Sequence, residues 1–414
     1  MGYTSRGAMH LFLLCWLAYF ATYVCRLNYS AVMPELLADG YSESRLGTVL
    51  SAFLVCYGLG QIVSGWCSDK FSSRSMIFLG LLLSGTSNIA VCFFGGNYTA
   101  LLLLWMFNSV VQSMVWSPLL HIAGEWLNPD DRRLFGYNIA TTSPAGTIVG
   151  YGIALLVLLV LPWKYVFLCC GALTATAAFV WWFGTGRVLS KMPRAVEVEQ
   201  TEAATKRTET VVPMRPLVGM MATAGVLLML IPIVMQGTLK DSVTNWIPTF
   251  LSGSFEMSTS LSLALTMILP LINVLGSYAA KAVERRLHNE LYTAAVFFGI
   301  AGVCLTVLAL GGYRFVPVAV VCLAGVTSSM VAVNVMYITM VPLRFARFGR
   351  TGTVGGILDA VAYIGSGALG LVPGFILEHT DNSWMVMFII WVALALIAIA
   401  VTLLCNRFWK KFIA

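Results

Sequence analysis

The 414-residue sequence is short of charge. Only 10% of it is charged, against 59% hydrophobic, where a soluble domain carries about a quarter charged. That scarcity excludes an ordinary water-soluble globule and confines the charges to loops. Histidine is scarcer still: His10, His121, His288 and His379 are the only four, they lie in different segments, and none has the spacing of a metal ligand set. With no nucleophile cluster beside them, the sequence does not read as an enzyme and implies no cofactor or metal. The ten cysteines are scattered, and the adjacent Cys169 and Cys170 have neither ligand nor redox spacing, so all ten are assigned to packing. Nor is a cleavable leader expected. The first apolar run is too long, holds Arg26 and has no small-residue cleavage site, and is read as a retained helix.

What is present is a series of apolar stretches, each long enough for a helix to cross about 30 Å of hydrocarbon. They are expected over 9–33, 45–67, 75–95, 99–125, 134–161, 164–186, 216–250, 258–282, 291–311, 315–342, 350–378 and 383–406. The expected fold is therefore all-α and integral to the membrane, with twelve transmembrane helices. The net charge of +7 is unevenly placed: of 25 Lys and Arg, twenty fall in the two termini and the even-to-odd loops, three in the opposite loops, and Arg26 and Lys240 within spans. This asymmetry predicts cytoplasmic termini and needs no nucleic-acid partner.

Residues 187–215 form the only long polar segment and read as a cytoplasmic linker. It divides the chain into an N-terminal six-helix bundle (1–186) and a C-terminal one (216–414). The halves echo each other. Gly136 and Gly146 in the fifth span have the separation of Gly355 and Gly365 in the eleventh, and both spans are rich in small residues that let helices approach closely. Two pseudo-symmetric bundles around a central site form a transporter layout.

Two cations at membrane depth mark the candidate site, since each costs about 2.5–3.5 kcal/mol there unless it lines a polar cavity. Tyr19, Tyr23, Arg26 and Ser30 share one face of the first helix. Gln236, Lys240 and Thr244 share one on the seventh, and Tyr57 and Gln61 one on the second. Such stripes line a cavity or form hydrogen-bonded seams between helices, and Arg26 could also snorkel to the outer interface. Two acids accompany them, Asp241 beside Lys240 and Asp359 in the eleventh span. Asp241 lies about 100° round the helix from Lys240 and is expected to pair elsewhere. Two cations and two acids sum to zero, so a dianion entering the site would require an acid to take up a proton. Asp359, on one stripe with Tyr363 and Ser366, is the proton-coupling candidate ahead of Asp241. A fixed salt bridge from Asp359 to Arg26 or Lys240 is the alternative.

Between spans two and three stands GWCSDKFSSR. Its Gly65, Asp69, Lys70 and Arg74 resemble the cytoplasmic loop motif of the major facilitator superfamily, whose charges latch the two halves. A merely solvated turn is the other reading. The second-half copy, Gly276 to Arg286, has Ala280 where the acid would stand. YVCRLNYSAVMPEL (Tyr23 to Leu36), SMVWSP with HIAGEWLNPDDRR (Ser113 to Arg133), NWIPTF (Asn245 to Phe250) and GTVGGILDAVAYIGSG (Gly352 to Gly367) narrow the resemblance to the organophosphate:phosphate antiporter family. That resemblance implies a secondary transporter of glycerol phosphate or a sugar phosphate, working by alternating access and coupled to inorganic phosphate or protons. It also implies that Arg26 and Lys240 grip the anion, with Trp116 near the pocket or in the core. Tyr23, Tyr57, Gln61 and Tyr363 complete the expected substrate contacts. The expected partners are a small anionic solute and the bilayer, with the chain a monomer in a cell membrane. The sequence departs from the family where Gln61 replaces a lysine, Thr141 a histidine and Lys240 an arginine. These changes keep a sugar acid open as substrate, and a sugar-phosphate sensor on the same scaffold remains a further alternative.

Overall fold

A computed structural model describes residues 3–193, 214–255, 259–369 and 384–413. Among them every regular element is helical. Helices α1 (Arg6–Ala38), α2 (Glu43–Ser68), α3 (Ser73–Phe94) and α4 (Tyr98–Trp126) are followed by α5 (Pro129–Asn138), α6 (Thr142–Leu158) and α7 (Lys164–Leu189). Then come α8 (Met214–Thr223), α9 (Val226–Phe255), α10 (Thr259–Leu287), α11 (Glu290–Ala309), α12 (Val316–Asn334), α13 (Thr351–Leu369) and α14 (Trp384–Ile413). Among the described residues eleven stretches are long and apolar enough to cross a membrane, and α10, 29 residues long, stands where the eighth span is expected. The chain thus has the expected twelve-helix membrane fold, with exposed large side chains such as Phe93, Leu156, Val160 and Val321 suited to lipid.

Polar residues at the turns start the helices. Ser42, Ser72, Asn97, Asn128 and Asn289 each accept a hydrogen bond from a backbone N–H in the first turn of the helix that follows, satisfying donors that have no partner inside the helix. Asn128 is followed by Pro129, whose missing N–H costs nothing there.

Two expected spans are not continuous. The fifth is split by a 3-10 turn at Ile139–Thr141. The seventh breaks between α8 and α9, where Gly225 adopts φ +76° and a Cβ would stand 3.0 Å from Phe408, so the conformation and the close approach both call for glycine. The tenth span continues past α12 as a π-helical turn at Val335–Met340. The eleventh was expected to reach 378, and its part beyond 369 lies outside the described residues, as does most of the linker at 187–215.

The residues fall into two compact units, Met1–Val211 with Pro342–Ala360, and Val212–Val341 with Val361–Ala414. Helix α13 therefore gives its first half to one unit and its second half to the other, a partition that no break in hydrophobicity marks. In the first unit the core is built on Trp105, whose ring lies 5.1 Å from Tyr29, 5.7 Å from Phe53 and 5.7 Å from Phe167.

Candidate functional site

Arg26 stands well inside α1 and is half-buried in an aromatic surround. Its guanidinium lies 4.2 Å from the Tyr57 ring centroid, 5.1 Å from Tyr23 and 5.5 Å from Phe53. Aromatic faces stabilise a cation away from water. Tyr23 meets Tyr19 through a hydroxyl contact of 3.3 Å, and Tyr19 stacks on Trp116 at 4.7 Å. The expected residues Arg26, Tyr23, Tyr57 and Trp116 are thus brought into one cluster on α1, α2 and α4.

The Arg26 side chain is held from behind. Its Nε donates to Gln112 Oε1 at 3.1 Å, and the Gln112 amide donates to Cys25 O, Ser84 Oγ and Asn108 Oδ1 at 3.2–3.3 Å. Asn108 in turn accepts from Ser84 at 2.7 Å and donates to Cys25 O at 3.1 Å, and Asn88 donates to Ser84 O and accepts from Asn28. A polar seam therefore runs through α1, α3 and α4 and ends on the arginine. Sequence reasoning overlooked it. Its signal was the spacing of Asn108, Gln112 and Trp116, one turn apart along α4, and of Ser84 and Asn88 on α3.

Gln61 is fully buried, with Oε1 accepting from Ser117 at 2.8 Å. Its Nε2 and the indole N–H of Trp116 find no hydrogen-bond partner among the described residues. Buried donors of this kind are costly unless something supplies an acceptor. Asp359, on α13, is 4% exposed. Thr141 accepts from the Trp16 indole at 2.8 Å and belongs to the split in the fifth span.

In the second unit Lys240 pairs with Asp241 at 3.4 Å. This corrects the expectation that Asp241 would find another group: the four-carbon lysine stem is long enough to swing round the helix to its neighbour. The Lys240 ammonium also lies 5.7 Å from the Tyr363 ring. One turn earlier Gln236 is buried and donates to Met330 O at 3.2 Å. Helices α9 and α13 touch here, since a Cβ on Gly237 would meet Ala362 O at 2.8 Å.

The loop-motif residues separate into three contacts. Asp69, at the end of α2, accepts from the backbone N–H groups of Gly352 at 3.1 Å and Thr353 at 3.0 Å, and from the Thr353 hydroxyl. The carboxylate of one helix thereby caps the start of another, where unsatisfied N–H groups and the dipole favour negative charge. Arg350 Nη1 lies 3.8 Å away and His121 Nε2 4.0 Å. The Asp69 side chain is wholly buried, and burial pushes its carboxyl above the usual carboxylate range, with Thr353, His121 and Arg350 pulling it back down. Glycine makes the clasp possible: a Cβ on Gly65 would stand 2.7 Å from Gly352 O, and one on Gly356 would run into Gln61 O. Lys70 lies over the Trp66 ring at 3.8 Å, away from the clasp. Arg74 stands apart as well, donating to Trp182 O at 2.6 Å and Thr185 Oγ1 at 3.1 Å, a cation set at the carbonyl end of α7.

Among the described residues no group of three His, Cys, Asp or Glu side chains could hold a metal ion.

The Major Facilitator Superfamily pattern matches residues 15–366. A stretch of 127 residues is 33% identical to the "Probable hexose phosphate transport protein" of Chlamydia trachomatis serovar D, covering 30% of this chain and spanning only 27% of that relative's length. A longer match, 25% identical over 388 residues, runs to the "Probable sulfoacetate transporter SauU" of Cupriavidus necator and covers 88% of this chain and 86% of that one. Among solved structures, the proton:xylose symporter XylE bound to 6-bromo-6-deoxy-D-glucose superposes with a TM-score of 0.73 at 15% identity, covering 100% of this chain and 97% of the other. At that identity the likeness is one of fold.

Proposed function

The chain belongs to the Major Facilitator Superfamily and is a multi-pass membrane transporter, and on that premise we propose that its solute is a small organic anion, in the first place a sugar phosphate or glycerol phosphate. The observation that carries this reading is Arg26, a permanent cation inside a membrane helix, packed among Tyr23, Phe53 and Tyr57 and hydrogen-bonded by Gln112. A guanidinium matches phosphate oxygens two at a time and does not lose its charge. The buried N–H groups of Trp116 and Gln61 are donors that an anion's oxygens would satisfy. Lys240 supplies the second positive charge. Its pairing with Asp241 means that binding there exchanges one anionic partner for another, at lower net cost than burying a new charge.

Translocation follows from the family's two-bundle design. The bundles at 1–186 and 216–414, tethered by 187–215 with both termini in the cytoplasm, rock about a midplane site, and the Asp69 clasp must part in each cycle. Protonation of Asp359 offsets the incoming charge, with inorganic phosphate as the alternative coupling ion. A second reading has its own support: a match over 88% of this chain is to a protein named for sulfoacetate, whose sulfonate and carboxylate also present oxygens to an arginine. The experiment is a thermal-shift panel on the purified protein with phosphorylated, sulfonated and carboxylated solutes beside their neutral parents. Stabilisation by phosphate esters alone supports the first reading and by sulfonates or carboxylates the second, while a response to neutral sugars overturns both.

A further inference from the structure

Gln112 does more than fill the seam. Its single amide is bonded at both ends to neighbouring residues of α1: Nε2 donates to the backbone oxygen of Cys25 and Oε1 accepts from Nε of Arg26. That is a two-point clamp on one arginine, tying the side chain to the backbone just before it. The amide cannot reverse. Turned over, it would set its oxygen against Cys25 O and Asn108 Oδ1, which only accept, and its NH2 against the Arg26 Nε–H, which only donates. Ser84 and Asn108 hold it from the far side, and Asn88 and Asn28 hold them. Gln112 is itself fully buried, so water cannot substitute for it.

We propose that Gln112 is a positioning residue for the anion site: by occupying Nε of Arg26 it sets the plane of the guanidinium, so that the Nη edge is presented to the substrate in a fixed orientation. The proposal rests on the reading of Arg26 as the anion-binding cation. A planar fork grips two oxygens only when its plane is right, and a fork held beforehand loses less freedom on binding than one that must be ordered by the substrate. A lysine in place of the arginine has no plane to set. Gln112 should therefore matter to an arginine at position 26 and not to a lysine.

The test is glucose 6-phosphate exchange against trapped inorganic phosphate, in proteoliposomes carrying the wild type, Gln112→Leu, Arg26→Lys and the double variant; where the panel above favours another anion, that anion is the probe. The expected result is that Gln112→Leu raises KM about tenfold, the loss of one charge-assisted hydrogen bond, with turnover within about twofold. In the Arg26→Lys background the same change should leave KM where Arg26→Lys alone puts it. Full additivity of the two KM effects overturns the proposal, because a seam that only supports packing acts the same whichever cation is present. If Arg26→Lys itself leaves KM unchanged, the reading of Arg26 as the anion site fails, and the proposal with it. Should Gln112→Leu not fold, Gln112→Met decides. It keeps the length of the side chain and removes both the acceptor and the donor, so it should raise KM with Arg26 in place and leave KM unchanged beside Arg26→Lys, and additive effects overturn the proposal.

Discussion

Replacing Gly65 by alanine should loosen the Asp69 clasp. The added Cβ would stand 2.7 Å from Gly352 O and 3.0 Å from Gly356 Cα. Ordinary van der Waals contact begins at 3.4 Å, so α2 and the start of α13 must separate by about 0.7 Å, and both obstacles are backbone that no rotamer change can move. Overpacking of this size costs about 1–3 kcal/mol, which shifts a closed–open equilibrium about 5- to 150-fold. The Gly352 and Thr353 N–H groups, capped by Asp69 in the closed clasp, report that equilibrium through amide hydrogen exchange. Gly65→Ala should lower the protection of a peptide covering 350–356 by that factor. Gly47, on the same helix, has nothing within 4 Å of a built Cβ, so Gly47→Ala should leave it unchanged. Equal loss of protection in both variants, or none in Gly65→Ala, refutes the reasoning.

Asp69→Asn should slow exchange while leaving substrate affinity within a few-fold, measured by transport beside binding in detergent, because Asp69 touches α13 and His121 and none of the Arg26 cluster. The clasp should also be pH-sensitive. Burial raises the Asp69 carboxyl in the closed state, so its contribution to closure is fully present below the ordinary value of about 3.9 and lost as pH rises through the raised one. Protection of Gly352 and Thr353, corrected for intrinsic exchange, should fall with rising pH in the wild type and less steeply in Asp69→Asn. For Asp359, a pH gradient imposed on proteoliposomes should drive accumulation by the wild type, while Asp359→Asn still exchanges substrate and ignores the gradient. Wild-type accumulation that needs only internal phosphate would remove Asp359 from that role.

The membrane-spanning helices were legible because twenty apolar residues in a row have few other uses, and the serines and asparagines that start them were in plain view. The breaks were not. Ala224 and Gly225 interrupt no hydrophobic run, and the turn there depends on a left-handed glycine facing Phe408. Arg26, Tyr23, Tyr57 and Trp116 came together as their helical spacing and the family resemblance suggested. Gln112 escaped notice because one amide in an apolar helix reads as tolerated polarity until its partners on α1 and α3 are known. The pairing of Lys240 with Asp241 went against a rotation argument that treats side chains as rigid spokes. Asp69 was picked out by its motif, but its partners lie 283 and 284 residues further along the chain, beyond any local pattern.

Transport of an organic anion gripped by Arg26 is the proposed activity of this chain. Purified protein in liposomes, loaded with inorganic phosphate and offered radiolabelled glucose 6-phosphate beside sulfoacetate and free glucose, tests it most directly. The expected result is uptake of an anion, no uptake of glucose, and loss of anion uptake in Arg26→Gln at unchanged membrane insertion. Anion binding without uptake would make the protein a sensor, and uptake that survives Arg26→Gln would remove Arg26 from the anion site.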